Sequence, residues 1–420
     1  MVAWSLGSPA ERRARLAARH RLARWGRAGT AAEVAESLIA LHGTDPASVY
    51  LATWARTDAV SPAAIERELY EEQALVRMLG MRRTMFVIPA GLAPTVQAAC
   101  TDEIAARLRR QLVQHLGHAG IAADPAGWLK EVGEAAVRAL TTRGTATGAE
   151  LAQDEPRLRT QLVYAEGKSY GGPASITSRV LMLLSAEGRI VRGRPRGGWT
   201  SSQYLWSPVS AGPDKGAPAA AARADLARRW LRTFGPATVA DLQWWAGWTA
   251  GQTTAALRQL RTTEVDLGGV PGIVLAGDEA AEPAAEPWAA LLPALDPTAM
   301  GWRERGWFLG EHGQLLFDRS GNIGPTVWWD GRVIGGWAQR KDGEIVFRLL
   351  EDAGTDATRA VAGEADRLQA WLGATRITPR FRTPLERELS GGSGWARGGG
   401  GSGGSPPRAS TAGGPGEGAE

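Results

Sequence analysis

The chain has 420 residues, of which 44% are hydrophobic and 22% charged, and its formal net charge is +4. These values are typical of a globular protein, and no apolar run approaches the roughly 18 residues that a membrane span requires. One cysteine, Cys100, excludes an intramolecular disulfide and a cysteine-based metal site, and the histidines are scattered, so we expect no metal and no cofactor.

The first predicted element is a helix over residues 10–25, in a segment rich in arginine. Arg12 and Arg13 belong to a cluster of seven arginines within the first 30 residues, where Glu11 is the only acid. Clustered guanidinium groups bind phosphates and release counterions, so the cluster predicts contact with DNA, the alternative being a solvated helix face. The segment also lacks the apolar core of a secretory signal, which favours a cytoplasmic location.

A weak threefold pattern follows along the chain. Three segments place a threonine three residues before an acid: Thr30 before Glu33, Thr147 before Glu150, and Thr238 before Asp241. A threonine can accept a hydrogen bond from a free N–H at a helix start, and an acid in the first turn is stabilised by the helix dipole. We therefore predict that each threonine is the N-cap of a helix that begins at the next residue.

The surroundings of these helix starts repeat as well. A longer helix is predicted before each of them, and another helix and a strand pair after each. The predicted longer helices cover residues 10–25, 126–140 and 221–234, and the strand pairs cover 75–78 with 84–88, 189–192 with 198–206, and 264–267 with 272–275. This order is that of a winged helix, so the sequence predicts three tandem winged-helix units.

The second unit carries the clearest candidates for DNA contact. Residues 173–187 are the predicted recognition helix, with Arg179 on its outer face, and the predicted wing follows directly. Its arginines can follow a phosphate backbone, the alternative being an ordinary charged hairpin. The wing arginines are Arg189, Arg192, Arg194 and Arg196.

From about residue 291 the pattern changes to strands and tight turns. Strands are expected at residues 307–309, 315–317, 323–329, 332–337 and 344–350, separated by Gly-containing turns, and a helix at 356–372. The fold class is therefore α+β, with three winged-helix units and a C-terminal antiparallel β-meander or barrel. We place the domains at residues 1–120, 121–215, 216–285 and 286–389, and expect residues 390–420, rich in Gly, to be disordered.

Several strings resemble the AlkZ/YcaQ family of bacterial winged-helix DNA glycosylases. Residues 41–56 read LHGTDPASVYLATWAR, similar to the stretch that carries the family's catalytic motif. Further similar strings are RTMFVIP at 83–89, FGPAT at 234–238 with Trp244 and Trp245, and LLPALDP at 291–297. These strings occur in the same order as in the family, and the resemblance spans about residues 16–389. It implies three winged-helix units and excision of alkylated bases.

The resemblance also implies where the catalytic residues lie. The family motif is glutamine, any residue, then glutamine or aspartate, and its two defined positions correspond to His42 and Thr44. A histidine can position or deprotonate water and a threonine hydroxyl can hold it, although neither reproduces the glutamine amide. Asp45 is the nearest carboxylate, and because Pro46 follows it, the alternative is that Asp45 caps a helix.

Two functions follow as hypotheses. The first is a monofunctional DNA glycosylase that binds duplex DNA as a monomer and hydrolyses the N-glycosidic bond of alkylated purines. The second is a noncatalytic DNA-binding regulator or lesion sensor on the same scaffold, which would bind DNA without releasing a base.

Overall fold

The computed structural model describes residues 6–164, 172–209, 216–283 and 286–391. Of the segment 390–420, residues 392–420 lie outside the described residues, whereas Ser390 and Gly391 end a helix. None of the helices in the described residues is long and apolar enough to cross a membrane.

The first part of the chain combines helices with a three-stranded antiparallel sheet. Strand β1 pairs with β3, and β3 pairs with β2, so the short first strand lies at one edge. The elements are α1 (Pro9–Arg19), α2 (Ala31–Ser37), β1 (Leu41–His42), α3 (Pro46–Trp54), α4 (Pro62–Tyr70), β2 (Leu75–Leu79) and β3 (Met85–Pro89).

The second part begins after a helical connection and has a similar order, with an additional strand pair inserted before its last helix. Ala146 bridges Trp206 of the last strand, as β1 pairs with β3 in the first part. The elements are α5 (Ala93–Val96), α6 (Asp102–His118), α7 (Pro125–Arg143), α8 (Gly148–Asp154), β4 (Gln161–Tyr164), β5 (Gly172–Ser175), α9 (Thr177–Ala186), β6 (Ile190–Pro195) and β7 (Tyr204–Pro208). The helix expected from residue 173 starts at Thr177, because Gly172–Ser175 pairs with β4 instead.

The third part has the same order in its simplest form. Ala237 bridges Ile273 of the last strand, and two helices precede the hairpin. The elements are α10 (Ala219–Phe234), α11 (Val239–Ala246), α12 (Ala250–Leu257), β8 (Thr262–Asp266) and β9 (Pro271–Leu275).

The three predicted helix starts are confirmed. Thr30 caps α2, Thr147 caps α8 and Thr238 caps α11, each accepting from the N–H three residues later. At Thr147 and Thr238 the acid also accepts from the backbone N–H of the capping residue, which completes a capping box.

The C-terminal part is built on a four-stranded antiparallel sheet in the order β10-β11-β12-β13. Residues 306–309 and 313–316 are single helical turns, so the strands expected at 307–309 and 315–317 are wrong, because three apolar residues carry no usable period. The elements are β10 (Ala289–Leu292), α13 (Pro297–Met300), α14 (Gly306–Leu309), α15 (Gly313–Leu316), β11 (Thr326–Trp329), β12 (Arg332–Gln339), β13 (Ile345–Leu349), α16 (Gly354–Leu372) and α17 (Pro384–Gly391).

One hydrophobic core joins the first, third and C-terminal parts, and a second core lies within residues 112–206. A fully buried ion pair ties the first part to the C-terminal part: Arg56, just after α3, donates to Asp296, just before α13, at 2.7 Å. Asp296 also caps α13 through the N–H of Thr298. The helix that follows residues 42–45 is therefore fixed at its end by the C-terminal part.

Candidate functional site

The residues that carry the family resemblance form a turn between β1 and α3, which we call the motif loop (residues 42–45). His42 pairs with Phe86 on β3, and the N–H of Gly43 donates to Met85 O at 2.8 Å. A Cβ at Gly43 would lie 3.0 Å from a guanidinium nitrogen of Arg77 and 3.3 Å from Met85 O. The loop is thus held so close to β2 and β3 that a side chain at Gly43 would require its neighbours to shift by a few tenths of an ångström.

His42 is a buried neutral imidazole. Its side chain packs edge-on against Phe86, and Nδ1 has no hydrogen-bond partner among the described residues. Burial, with a smaller contribution from the charge of Arg82, lowers the pKa of His42 to about 3. A neutral imidazole offers one donor and one acceptor nitrogen, so at neutral pH His42 can orient a water molecule.

Asp45 is the N-cap of α3, as the alternative interpretation predicts. One carboxylate oxygen accepts from the N–H of Ala47 at 3.1 Å, and the other accepts from the N–H of Arg380 at 2.9 Å. Burial raises the pKa of Asp45, and these two hydrogen bonds oppose the shift. Both oxygens therefore serve structure, fixing the start of α3 and the chain at residue 380. Thr44, between His42 and Asp45, is half-buried.

Arg77 is a site residue that the sequence interpretation missed. It is 3% exposed and donates to the carbonyl of Gly43 at 3.0 Å. Its guanidinium carbon lies 4.8 Å from the ring centre of Tyr204, and its Nε has no hydrogen-bond partner among the described residues. The signal was in β2, where Leu75, Arg77 and Leu79 occupy the buried positions of an alternating strand.

Two further arginines surround the motif loop. Arg192 packs its guanidinium over Tyr204 and Trp206 and is close enough to Arg77 and Arg380 for their charges to lower its pKa, after the larger effect of burial. Arg380 has an exposed side chain, and its backbone N–H donates to Asp45. Among the described residues, no carboxylate lies within salt-bridge distance of Arg77, Arg192 or Arg380. The loop therefore lies in a locally positive environment.

The other arginines of the second part are paired with acids. Arg189 binds Glu134 at 2.8 Å, and Arg196 binds Glu150 at 3.0 Å. Arg194 binds Glu66 at 2.8 Å and so joins the hairpin β6–β7 to α4. The predicted row of wing arginines is therefore divided, with Arg192 turned towards the motif loop and the others held by carboxylates. Arg179 is half-buried on α9.

The arginines of α1 serve mainly to pack the helix. Arg12 is only 8% exposed and stacks on Trp307 at 4.0 Å, and its Nε and Nη2 have no hydrogen-bond partner among the described residues, so its contact with DNA phosphates stays a prediction. Arg13 is half-buried and donates to the carbonyl of Trp307 at 3.3 Å. Further along the helix, Arg15 and Arg19 bind Asp278. The sequence could not show this, because the acids come from a segment some 260 residues away.

No group of three or more His, Cys, Asp or Glu side chains that could hold a metal ion occurs among residues 6–164, 172–209, 216–283 and 286–391. Cys100 is buried, and burial raises the pKa of its thiol to about 12.

Comparison with known proteins gives two matches. The family model described as DNA glycosylase AlkZ-like matches residues 35–371. Among solved structures, the fold is similar to that of the DNA glycosylase AlkZ of Streptomyces sahachiroi, with a TM-score of 0.67 and 21% sequence identity, over 89% of this chain and 98% of that one. No curated protein sequence matches.

Proposed function

This chain belongs to the AlkZ-like family of DNA glycosylases, and from that premise we propose that it hydrolyses the N-glycosidic bond of alkylated purines in duplex DNA. The observation that carries the proposal is the neutral ring of His42, whose nitrogens make no hydrogen bond within the described residues, in the loop that resembles the family motif. The proposed enzyme is monofunctional, acts as a monomer and uses no metal or cofactor.

The chemistry fits the residues of the motif loop. Cleavage of a glycosidic bond develops positive charge on the sugar and needs a water at the anomeric carbon, whereas an alkylated purine is already cationic and leaves without a strong acid. Neutral His42 and the Thr44 hydroxyl can hold this water. Asp45 supports them indirectly, since both its oxygens accept backbone N–H groups.

We further propose that the first three parts are winged-helix units and that the C-terminal sheet is a meander. Each of the three parts contains a helix, a short pairing segment, two more helices and a hairpin whose last strand accepts that segment. The domain boundaries near residues 120, 215, 285 and 389 follow from this interpretation. This arrangement supports a protein that binds DNA with several units of one chain.

The proposed DNA surface runs from the motif loop to the hairpin β6–β7. Arg179, Arg189, Arg192, Arg194 and Arg196 supply positive charge there, and Arg13 is half-exposed on α1. The ion pairs of Arg194 and Arg196 involve side chains that are 45% and 57% exposed. Exposed ion pairs contribute little stability, so a phosphate can replace the carboxylate.

One observation favours a second function, a noncatalytic lesion sensor or regulator. The motif loop offers no free carboxylate, because its only acid, Asp45, is occupied by two N–H donors, and His42 and Thr44 replace the amide and acid of the family motif. Such a protein would bind DNA in a salt-dependent manner and release no base.

A base-release assay separates the two functions. The assay incubates duplexes that carry N3- or N7-alkylpurines or a crosslink with three proteins: wild type, His42→Ala and the control His118→Ala. The control changes an exposed histidine at the end of α6. We expect free base with wild type and His118→Ala only, and strand breaks only after alkali. If wild type releases no base from any duplex, the enzyme proposal fails. Full activity of His42→Ala would refute the assignment of the site.

A further inference from the structure

A second cluster of arginines lies next to the motif loop, around the indole of Trp244 on α11. The guanidinium carbon of Arg82 lies 3.8 Å from the ring centre of Trp244, and that of Arg305 lies 4.9 Å from the same ring and 5.0 Å from the ring of Phe317. Stacking on an aromatic face orients a guanidinium plane while leaving its N–H edge free to donate.

Three donor nitrogens of this cluster have no acceptor among the described residues. Nε of Arg82 and both Nε and Nη2 of Arg305 are buried without a hydrogen-bond partner among the described residues. The charge of Asp241 raises the pKa of Arg305, against the larger lowering by burial. Asp241 does not accept from Arg305, however, because one of its oxygens accepts the N–H groups of Arg303 and Glu304 and the other accepts that of Thr238. Buried donor nitrogens without acceptors, on two half-buried guanidinium groups stacked on one indole, are unfavourable, so the arrangement points to an anionic ligand.

The position of Arg82 is fixed by close packing. Arg82 lies in the turn between β2 and β3 with a φ of 54°, a conformation that a side-chain-bearing residue rarely adopts. Gly247, at the end of α11 with a φ of 72°, meets this turn, and a Cβ there would lie 3.0 Å from the backbone nitrogen of Arg82. The first and third parts of the chain therefore hold Arg82 in place from two directions.

The cluster is also close to the motif loop, since Arg82 lies just before β3, whose Phe86 pairs with His42, and the charge of Arg82 contributes to lowering the pKa of His42. We propose that Arg82 and Arg305, oriented by Trp244, bind one phosphodiester group of the nucleic acid backbone beside residues 42–45. That the anion is a nucleic acid phosphate rests on the proposed function. Guanidinium groups match phosphate oxygens in geometry and charge, which makes this ligand the chemically fitting one.

The proposal is tested by the salt dependence of DNA binding, measured by fluorescence anisotropy on a duplex with one stable abasic analogue. Arg82→Gln and Arg305→Gln are compared with wild type and with the control Arg359→Gln, which removes an arginine of 78% side-chain exposure on α16. Each site variant should bind about tenfold more weakly, with the slope of log K against log salt smaller by about 1, because one phosphate contact is lost. The control should match wild type.

A scan of single methylphosphonate linkages then locates the phosphate. In wild type one neutral linkage near the abasic analogue should weaken binding, and in Arg305→Gln the same linkage should weaken it by a smaller factor, because only Arg82 still contacts that phosphate. Thermal unfolding shows whether each variant folds. If Arg82→Gln does not fold, Arg305→Gln alone tests the proposal. Wild-type affinity and slope in both folded variants would overturn the proposal.

Two further outcomes of these experiments separate the phosphate site from a free-anion site and from the glycosylase activity. If Arg305→Gln abolishes binding of inorganic phosphate but leaves DNA binding unchanged, the site takes a free anion and the proposal is wrong. If the linkage effect is present but wild type releases no base, the phosphate site stands and the glycosylase proposal fails, because the binding assay does not depend on base release.

Discussion

Replacing Asp45 with alanine should lower the free energy of unfolding by about 2–4 kcal/mol. Loss of an N-cap costs about 1 kcal/mol, and leaving the N–H of Arg380 without its buried acceptor costs about 1–3 kcal/mol more. Asp45→Ser keeps an oxygen within reach of the Ala47 N–H but not of Arg380, so it should recover only the first contribution.

The chain offers a matched control for this experiment. Asp124 also precedes a proline and caps a helix, α7, but it is exposed and accepts only from the N–H of Gly127, at 3.0 Å. Asp124→Ala should therefore cost only about 1 kcal/mol. The free energies are measured by urea denaturation, with base release measured in parallel. If Asp45→Ala unfolds like wild type yet loses base release, Asp45 acts in the chemistry and the reasoning from its hydrogen bonds is refuted.

Three further predictions concern the site and its support. Asp296→Ala should lower the free energy of unfolding by about 3–5 kcal/mol, because it leaves the fully buried Arg56 without a counterion; a loss below 1 kcal/mol in urea denaturation would contradict this. The pKa of His20 and that of His42 are lowered to about 3 from 6.5, mainly by burial, so below pH 6.5 the unfolded chain binds protons that the native chain does not. The free energy of unfolding should therefore decrease as the pH is lowered from about 6.5 to 3, by up to about 1.4 kcal/mol per pH unit for each histidine. In His42→Gln the pH dependence of the free energy of unfolding should be smaller by the contribution of one proton. An unchanged pH dependence would count against a buried neutral ring. Thr44→Asp should speed the release of cationic purines by roughly 10–100-fold. The reason is that a carboxylate about 5 Å from the developing positive charge stabilises it by roughly 3 kcal/mol at an effective dielectric constant of 20, before screening. Thr44→Asn is the neutral control, and equal rates of base release for the two variants would exclude this electrostatic effect.

The local features of this protein could be predicted from its sequence. Thr30, Thr147 and Thr238 cap the predicted helices, and Asp45 with Pro46 starts α3, because capping depends only on residues within one helical turn. The hairpins β2–β3, β6–β7 and β8–β9 lie near their predicted positions for the same reason. Short apolar segments were less informative, as the helical turns at 306–309 and 313–316 show.

The sequence by itself thus determined the three capped helix starts, the three hairpins and the segment that carries the candidate motif, because short-range hydrogen bonding and hydrophobic period fix them. Only the tertiary structure decided which arginines are free to bind an anion. Arg15 and Arg19 are held by Asp278, whereas Arg77 and Arg82 lie beside the motif loop with no carboxylate of the described residues within salt-bridge distance. The physical reason is that the state of a charged side chain depends on burial and on partners that can be hundreds of residues distant, and these exist only once the chain has folded.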